Sequence, residues 1–203
     1  RDYAKVPDAF PGSVLFYDII GLVANVANVK ATETGIFDMC GCDQTLDRVD
    51  NNGFYQGEGK EHGLITTSSA STLRLEGTAD AKTVTYLDGP LSLVWAPPAA
   101  AYEQTFSNRT HSLSGNVTVT NGTLRFAGKT TLVSVPKITV EQDGEFVLNT
   151  SLTDALKGLK TVVITGNGKF TVEQGAQPFA DAACSLALSE DARVTLPAGV
   201  PCR

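Results

Sequence analysis

The sequence predicts an all-β fold, a single-stranded parallel β-helix (β-solenoid) with coils of about 24 residues and an N-terminal capping region. Composition is the first observation, because Val, Leu, Thr and Gly are abundant and only one Met is present. The second is a period-2 alternation of apolar residues, which is typical of short strands with one buried face. The third is that this alternation recurs at a fixed spacing, with Gly144, Gly168 and Ala192 as its anchors.

Apolar residues recur at the same offsets from each anchor. They are Ile138, Val140, Phe146 and Leu148, then Val162, Ile164, Phe170 and Val172, then Leu186, Leu188, Val194 and Leu196. The connecting segment keeps its own apolar pair, Leu132 and Val135 and then Leu156 and Leu159, which predicts a third short strand in each coil. A meander of hairpins is the alternative, because Asn-Gly and Asp-Gly are strong hairpin turns. The constant length of the connecting segment favours the solenoid.

Two earlier copies of the repeat extend the pattern towards the N-terminus. The copy around Gly122 has one residue fewer before its turn. A further copy of the repeat is predicted around Gly89. The extra residues between these copies predict an inserted loop near 96–105. In a stack of such coils, four outward side chains should form one ladder, with Glu145 beside Lys169: Thr123, Glu145, Lys169 and Arg193.

The domain organisation follows from where the repeat begins. Residues 64–203 are predicted to form the solenoid coils, and residues 1–63 an N-terminal cap with loops that belongs to the same domain. The chain opens at Arg1 without a Met, so we expect a piece of a longer protein that is tethered to further domains.

Charge and cysteine content limit the partners and the compartment. A net charge of −6 with no basic tract argues against nucleic-acid binding. No apolar run reaches the roughly 20 residues that a membrane span needs, so no membrane insertion is expected. Four cysteines, at 40, 42, 184 and 202, suit a secreted or cell-surface protein with a disulfide. Cys184 and Cys202 flank the last repeat and could pair, whereas Cys40 and Cys42 are too close for an unstrained bridge.

The sequence offers no catalytic residue and no cofactor motif. Acidic residues on the coils are interpreted as solubilising charge or as turn residues, and no nucleophile has a recognisable partner. A structural calcium ion is one metal considered, with oxygen ligands from Asp47, Asp50 and Asn52. A plain polar turn explains this segment equally well. The Cys40-Gly41-Cys42 pair could also hold a metal, although no second Cys or His pair lies nearby. Because no catalytic group is recognisable, the sequence favours a protein that is not an enzyme.

Aromatic residues concentrate in the first half of the chain, where the only Trp and all five Tyr lie. Sugar binding needs an exposed aromatic plane flanked by polar groups, and the candidates are Phe54, Tyr55, Trp95 and Tyr102. Trp95 shares its strand parity with Leu91 and Leu93, so a place in the core is the alternative.

The segment 115–126, Gly-Asn-Val-Thr-Val-Thr-Asn-Gly-Thr-Leu-Arg-Phe, resembles the strand repeats of bacterial autotransporter-type passenger regions. It is also similar to β-helical ancillary regions of secreted bacterial carbohydrate-active proteins, and the resemblance covers about residues 82–200. It implies an extracellular bacterial protein that binds polysaccharide or mediates adhesion. The leading hypothesis is a non-catalytic carbohydrate-binding module with a polysaccharide as its partner. A structural spacer or adhesin segment, and a polysaccharide lyase or glycoside hydrolase, are the alternatives.

Overall fold

The computed structural model describes residues 36–50, 63–174 and 185–196, together with the backbone of four short strands before residue 32 and without the side chain of residue 174. The described residues form strands and turns with no helix. Parallel strands stack as a β-solenoid of about 5 turns, with about 23 residues per turn. The predicted fold class is confirmed.

Twenty-one strands make up the described chain. They are β1 (Ala4–Lys5), β2 (Leu15–Tyr17), β3 (Leu22–Ala24), β4 (Asn28–Ala31), β5 (Ile36–Asp38), β6 (Gln44–Leu46), β7 (Arg48–Val49), β8 (Leu64–Thr66), β9 (Ser71–Leu75), β10 (Ala81–Thr83), β11 (Tyr86–Gly89), β12 (Leu91–Trp95), β13 (Glu103–Ser107), β14 (Thr110–Leu113), β15 (Val117–Gly128), β16 (Thr131–Leu132), β17 (Lys137–Thr150), β18 (Thr161–Ile164), β19 (Lys169–Gln174), β20 (Ser185–Leu188) and β21 (Arg193–Thr195).

The strands of the solenoid form three faces. The first face consists of β5, β8, β11, β14 and β16, and the second of β6, β9, β12, β18, β20 and the first halves of β15 and β17. The third face consists of β10, β13, β19, β21 and the second halves of β15 and β17. Neighbouring strands on every face run parallel, which excludes the hairpin meander for these coils because hairpins pair antiparallel strands.

The 24-residue register predicted for the last coils is confirmed. Ile138 pairs with Val162, and Val162 with Leu186. The shorter copy around Gly122 is also confirmed, because the pairing of β15 with β17 shifts between Val119 and Asn121. The extra residue on β17 lies between Val140 and Asp143, and Gln142 in this bulge has a left-handed φ of +49°.

The interpretation of Gly89 as a turn equivalent to Gly122 is wrong. Gly89 pairs with Leu113 on the first face, at a different corner of the coil. Leu91 and Leu93, which this copy aligns with Leu124 and Phe126, instead belong to β12 on the second face, where Leu93 pairs with Val117. The chain makes a longer turn between Trp95 and Glu103, at the corner that Asn121 and Gly122 occupy one coil later.

The parallel stack begins inside the segment that the sequence assigns to the cap. Ile36–Asp38 already pairs with β8, and Gln44–Leu46 with β9, both in parallel. Before residue 32 antiparallel pairs appear, because β2 joins β5 antiparallel and β1 joins β2 antiparallel, whereas β4 still pairs with β7 in parallel. Antiparallel strands therefore continue the first face beyond its earliest described coil.

The core is a set of columns that run along the solenoid axis. Inside the third face, four buried phenylalanine rings lie one above another with centroids 5.2 to 5.7 Å apart: Phe106, Phe126, Phe146 and Phe170. Inside the second face, Trp95 lies in a column of aliphatic side chains that includes Leu75 and Val119. The predicted connecting positions Leu132, Val135, Leu156 and Leu159 are buried. The third strand predicted for each coil forms at Thr131–Leu132 but not in the next coil, where residues 153–158 form turns instead.

Candidate functional site

A polar groove lies where the second face turns into the third, and its volume is about 450 Å³. We call it the corner groove. Its lining residues are Ala100, Thr123, Asp143, Glu145, Asn167, Lys169, Asp191 and Arg193. All but Ala100 recur on successive coils, so the groove runs along the solenoid axis.

One wall of the corner groove is the outward ladder that the sequence predicts. Thr123 pairs with Glu145, Glu145 with Lys169, and Lys169 with Arg193. Because neighbouring strands are about 4.8 Å apart, these four side chains form a closely spaced column. The predicted ladder and the neighbourhood of Glu145 and Lys169 are confirmed.

Turn residues form the other wall and were not assigned to a site from the sequence. Asp143, Asn167 and Asp191 occupy the same corner at 24-residue spacing, and the Nδ2 of Asn167 donates to Oδ1 of Asp143 at 3.1 Å. Their common offset from the repeat anchors was the signal that could have found them. Sequence reasoning interpreted Asp143 and Asp191 only as turn residues.

Some charged side chains of the corner groove form hydrogen bonds within the protein, and others form no ion pair in the described ranges. The carboxylate of Glu145 accepts a hydrogen bond from the Thr171 hydroxyl at 3.2 Å. Lys169 and Arg193 are exposed, and neither forms an ion pair with any residue in the described ranges. The groove therefore presents three carboxylates, from Asp143, Glu145 and Asp191, together with two cations that form no ion pair in the described ranges.

The longer turn between Trp95 and Glu103 closes one end of the corner groove. Asn121 donates through Nδ2 to the carbonyl of Pro97 at 3.2 Å, and the N–H of Thr123 donates to the carbonyl of Tyr102 at 2.9 Å. Gly122 permits this approach, since a Cβ there would lie 2.6 Å from the Tyr102 carbonyl oxygen. On the far side of this turn is a second groove of about 500 Å³, which shares Thr123 and includes Asp80, Lys82 and Glu103.

Trp95 lies in the core. This was the alternative to sugar binding that its shared strand parity with Leu91 and Leu93 suggested. Its side chain is 0% exposed, and its indole lies between Gly77 and Gly122 of the flanking coils. Its Nε1 has no hydrogen-bond partner within the described part of the chain. In this position Trp95 has no ring face to offer a sugar.

The other predicted sugar-binding aromatics have different outcomes. Tyr102 is half-buried against the core and follows Ala100 and Ala101, which line the two grooves. Tyr102 itself lines neither of the two grooves, and its role stays a prediction. Phe54 and Tyr55 lie outside the described residues.

The predicted calcium ligands are only partly described. Asp47 accepts hydrogen bonds from the backbone N–H and the hydroxyl of Thr78, at 2.7 and 2.8 Å, and pairs with Arg48. These contacts engage its carboxylate in holding a turn of the next coil. Asp50 is half-buried, and Asn52 lies outside the described residues. No group of three His, Cys, Asp or Glu suited to a metal is found over the ranges that the structure covers.

Arg125 joins three coils on the outside of the third face. Its Nε contacts both carboxylate oxygens of Glu103 at 3.1 to 3.2 Å, and its Nη1 contacts both oxygens of Glu173 at 3.1 Å. Partial burial disfavours its charge, but the hydrogen bonds and charges of Glu173 and Glu103 outweigh it and raise the pKa of Arg125. Val147, which faces outward between these coils, is nevertheless buried.

His111 is a core residue on the first face. Its Nδ1 accepts a hydrogen bond from the N–H of Leu87 at 3.2 Å, and its ring packs edge-on against Phe106 and Phe126. Burial, and to a smaller extent the charge of Arg109, lower the pKa of His111 from 6.5 to about 3. The imidazole is therefore neutral in the folded protein at ordinary pH.

This burial predicts a loss of stability in acid. Between pH 6.5 and 3 the unfolded chain binds a proton at His111 that the folded chain does not, so the free energy of unfolding falls by up to about 1.4 kcal/mol per pH unit. His111→Asn keeps an acceptor for Leu87 and should remove this contribution. Urea unfolding at pH 7 and pH 5 measures it. Equal losses in the wild type and the variant would contradict the assignment.

The cysteines do not form a described disulfide. Cys40 and Cys42 are half-buried, and the backbone N–H of Cys40 donates to Oδ1 of Asp38 at 2.8 Å. The predicted pairing of Cys184 with Cys202 involves residues outside the described ranges.

Comparisons with known proteins do not add a family to this description. Family models, curated proteins and solved structures gave no match to the chain. Among the described residues, no helix has the length and apolar character to cross a membrane.

Proposed function

We propose that the protein is a non-catalytic carbohydrate-binding module of a secreted bacterial multidomain protein, and that it binds a polysaccharide chain in the corner groove. The observation that carries this proposal is the repetition of polar groups along the groove. Asp143, Asn167 and Asp191 recur on one wall, and Thr123, Glu145, Lys169 and Arg193 on the other.

The chemistry of these walls suits a hydroxyl-rich polymer. Carboxylates accept hydrogen bonds, ammonium and guanidinium groups donate, and an amide does both, so the groove can satisfy the hydroxyls of a sugar. A linear polysaccharide also repeats along one axis, as the groove does. Tyr102, which is half-buried against the core in the turn that contributes Ala100 to the groove, is the candidate for a stacking contact.

An affinity-gel screen over cellulose, xylan, mannan, pectin and β-glucans tests the proposal. We expect retention by at least one glycan without release of reducing sugar. Asn167→Ala and Glu145→Ala should each weaken that retention about fivefold to tenfold, because each removes hydrogen bonds worth about 1 kcal/mol. Thr139→Ala, on the outside of the second face, is the matched control and should retain full affinity.

The outcomes separate the alternatives. Retention that Asn167→Ala and Glu145→Ala leave unchanged would remove the corner groove from the proposal. Release of reducing sugar would favour a polysaccharide lyase or glycoside hydrolase, for which Asp143, Glu145 and Asp191 are the carboxylates at hand. Absence of retention on every glycan would contradict carbohydrate binding.

A structural spacer or adhesin segment is the second candidate. The observation in its favour is the regular stack, since parallel pairing continues through every described coil from β5 to β21. Such a rod separates other domains without binding a ligand. This candidate would lead if no glycan is retained.

A further inference from the structure

Lys169 and Arg193 form an unusual pair of like charges. They are directly paired on β19 and β21, and both are exposed on the same wall of the corner groove. Like charges directly opposite each other on neighbouring strands are destabilising. On the same face the other arginine, Arg125, is held between Glu103 and Glu173. Lys169 and Arg193 have no such carboxylate within 4 Å in the described part of the chain.

The acidic groups of the corner groove do not neutralise this pair. Asp143 accepts from Asn167, and Glu145 accepts from Thr171. Asp191, the third carboxylate of the groove, forms no ion pair with Lys169 or Arg193. Glu145 adjoins Lys169 in register, but the two side chains form no ion pair. Two cations on adjacent coils are thus left facing the groove.

We propose that the corner groove selects polysaccharides that carry carboxylates, that is, uronate-containing chains, and that a sugar carboxylate lies between Lys169 and Arg193. The guanidinium can engage a carboxylate through two parallel hydrogen bonds, and the ammonium adds a compact charge. This inference rests on the proposed function and specifies its ligand. Because the whole chain carries a net charge of −6, general attraction to a polyanion is unfavourable and a local cationic site is required.

Isothermal titration with matched polymers tests the inference. The ligands are a polyuronate and the same polymer after reduction of its carboxylates to alcohols, with sulfated dextran as a second polyanion. We expect the polyuronate to bind at least tenfold more tightly than the reduced polymer. Lys169→Gln and Arg193→Gln should each lower the polyuronate affinity about tenfold, the usual effect of losing one charge-assisted hydrogen bond.

Lys157→Gln is the matched control, because Lys157 is exposed in the turn before β18 and lies outside the groove. Unchanged affinity in this variant, with losses in the other two, supports the inference. Equal binding of the polyuronate and the reduced polymer would overturn it while leaving the proposed function intact. Equal binding of sulfated dextran, or an equal loss in Lys157→Gln, would also overturn it. Failure to bind any glycan would overturn both proposals.

Discussion

Phe146→Ala is expected to lower the free energy of unfolding by about 3 to 5 kcal/mol, the usual cost of emptying a buried phenylalanine site. Phe146 is fully buried, and its ring lies 5.7 Å from Phe126 and 5.2 Å from Phe170. The substitution removes contacts with both neighbouring coils at once. In a solenoid each coil is stabilised by its neighbours, so a defect in the middle weakens two interfaces.

Equilibrium unfolding in urea or guanidinium measures this loss. Phe146→Leu keeps most of the apolar volume and should cost less than the alanine variant. Lys157→Ala, at an exposed turn, should stay within about 0.5 kcal/mol of the wild type. A loss below about 1 kcal/mol for Phe146→Ala would show that the phenylalanine column does not join the coils.

Trp95→Ala is expected to destabilise the protein by a similar amount, about 3 to 5 kcal/mol, without changing the glycan affinity of the folded form. The indole fills the space between Gly77 and Gly122, so its removal leaves a cavity between three coils. Trp95→Phe should cost less, because it keeps an aromatic ring and removes an N–H that has no partner among the described residues.

Unfolding curves and affinity measurements on the same samples separate the two roles of Trp95. The affinities must be measured at a temperature where the variant is folded, as circular dichroism can verify. Wild-type stability with lost glycan affinity would contradict the core position and restore Trp95 as a stacking residue.

The repeat could be predicted from the sequence at those positions where core packing determines the type of residue. Inward positions such as Ile138, Val162 and Phe170 must be apolar on every coil, so the 24-residue spacing is visible without a structure. The coil around Gly89 was misplaced because the corner between Trp95 and Glu103 is longer than the corner after Val119. A glycine marks a turn without saying which corner of the coil the turn occupies.

The candidate site was predicted only in part, for a related reason. Strand parity is enough to predict that Glu145 and Lys169 are outward neighbours. The groove also needs the turn residues and the loop that closes its end, and their positions depend on hydrogen bonds such as that from Asn121 to Pro97. Burial of Trp95 depends on Gly77 and Gly122, which are distant from it in sequence.

The measurement that tests the corner groove most directly is an NMR titration of the ¹⁵N-labelled protein with an oligosaccharide of the glycan that it retains. Binding in the groove should shift the backbone amide signals of Thr123, Glu145, Lys169 and Arg193. The signals of Thr118, Thr139 and Val163, on the outside of the second face, should stay in place. Shifts confined to that second face, with the groove signals unmoved, would contradict the assignment of the site.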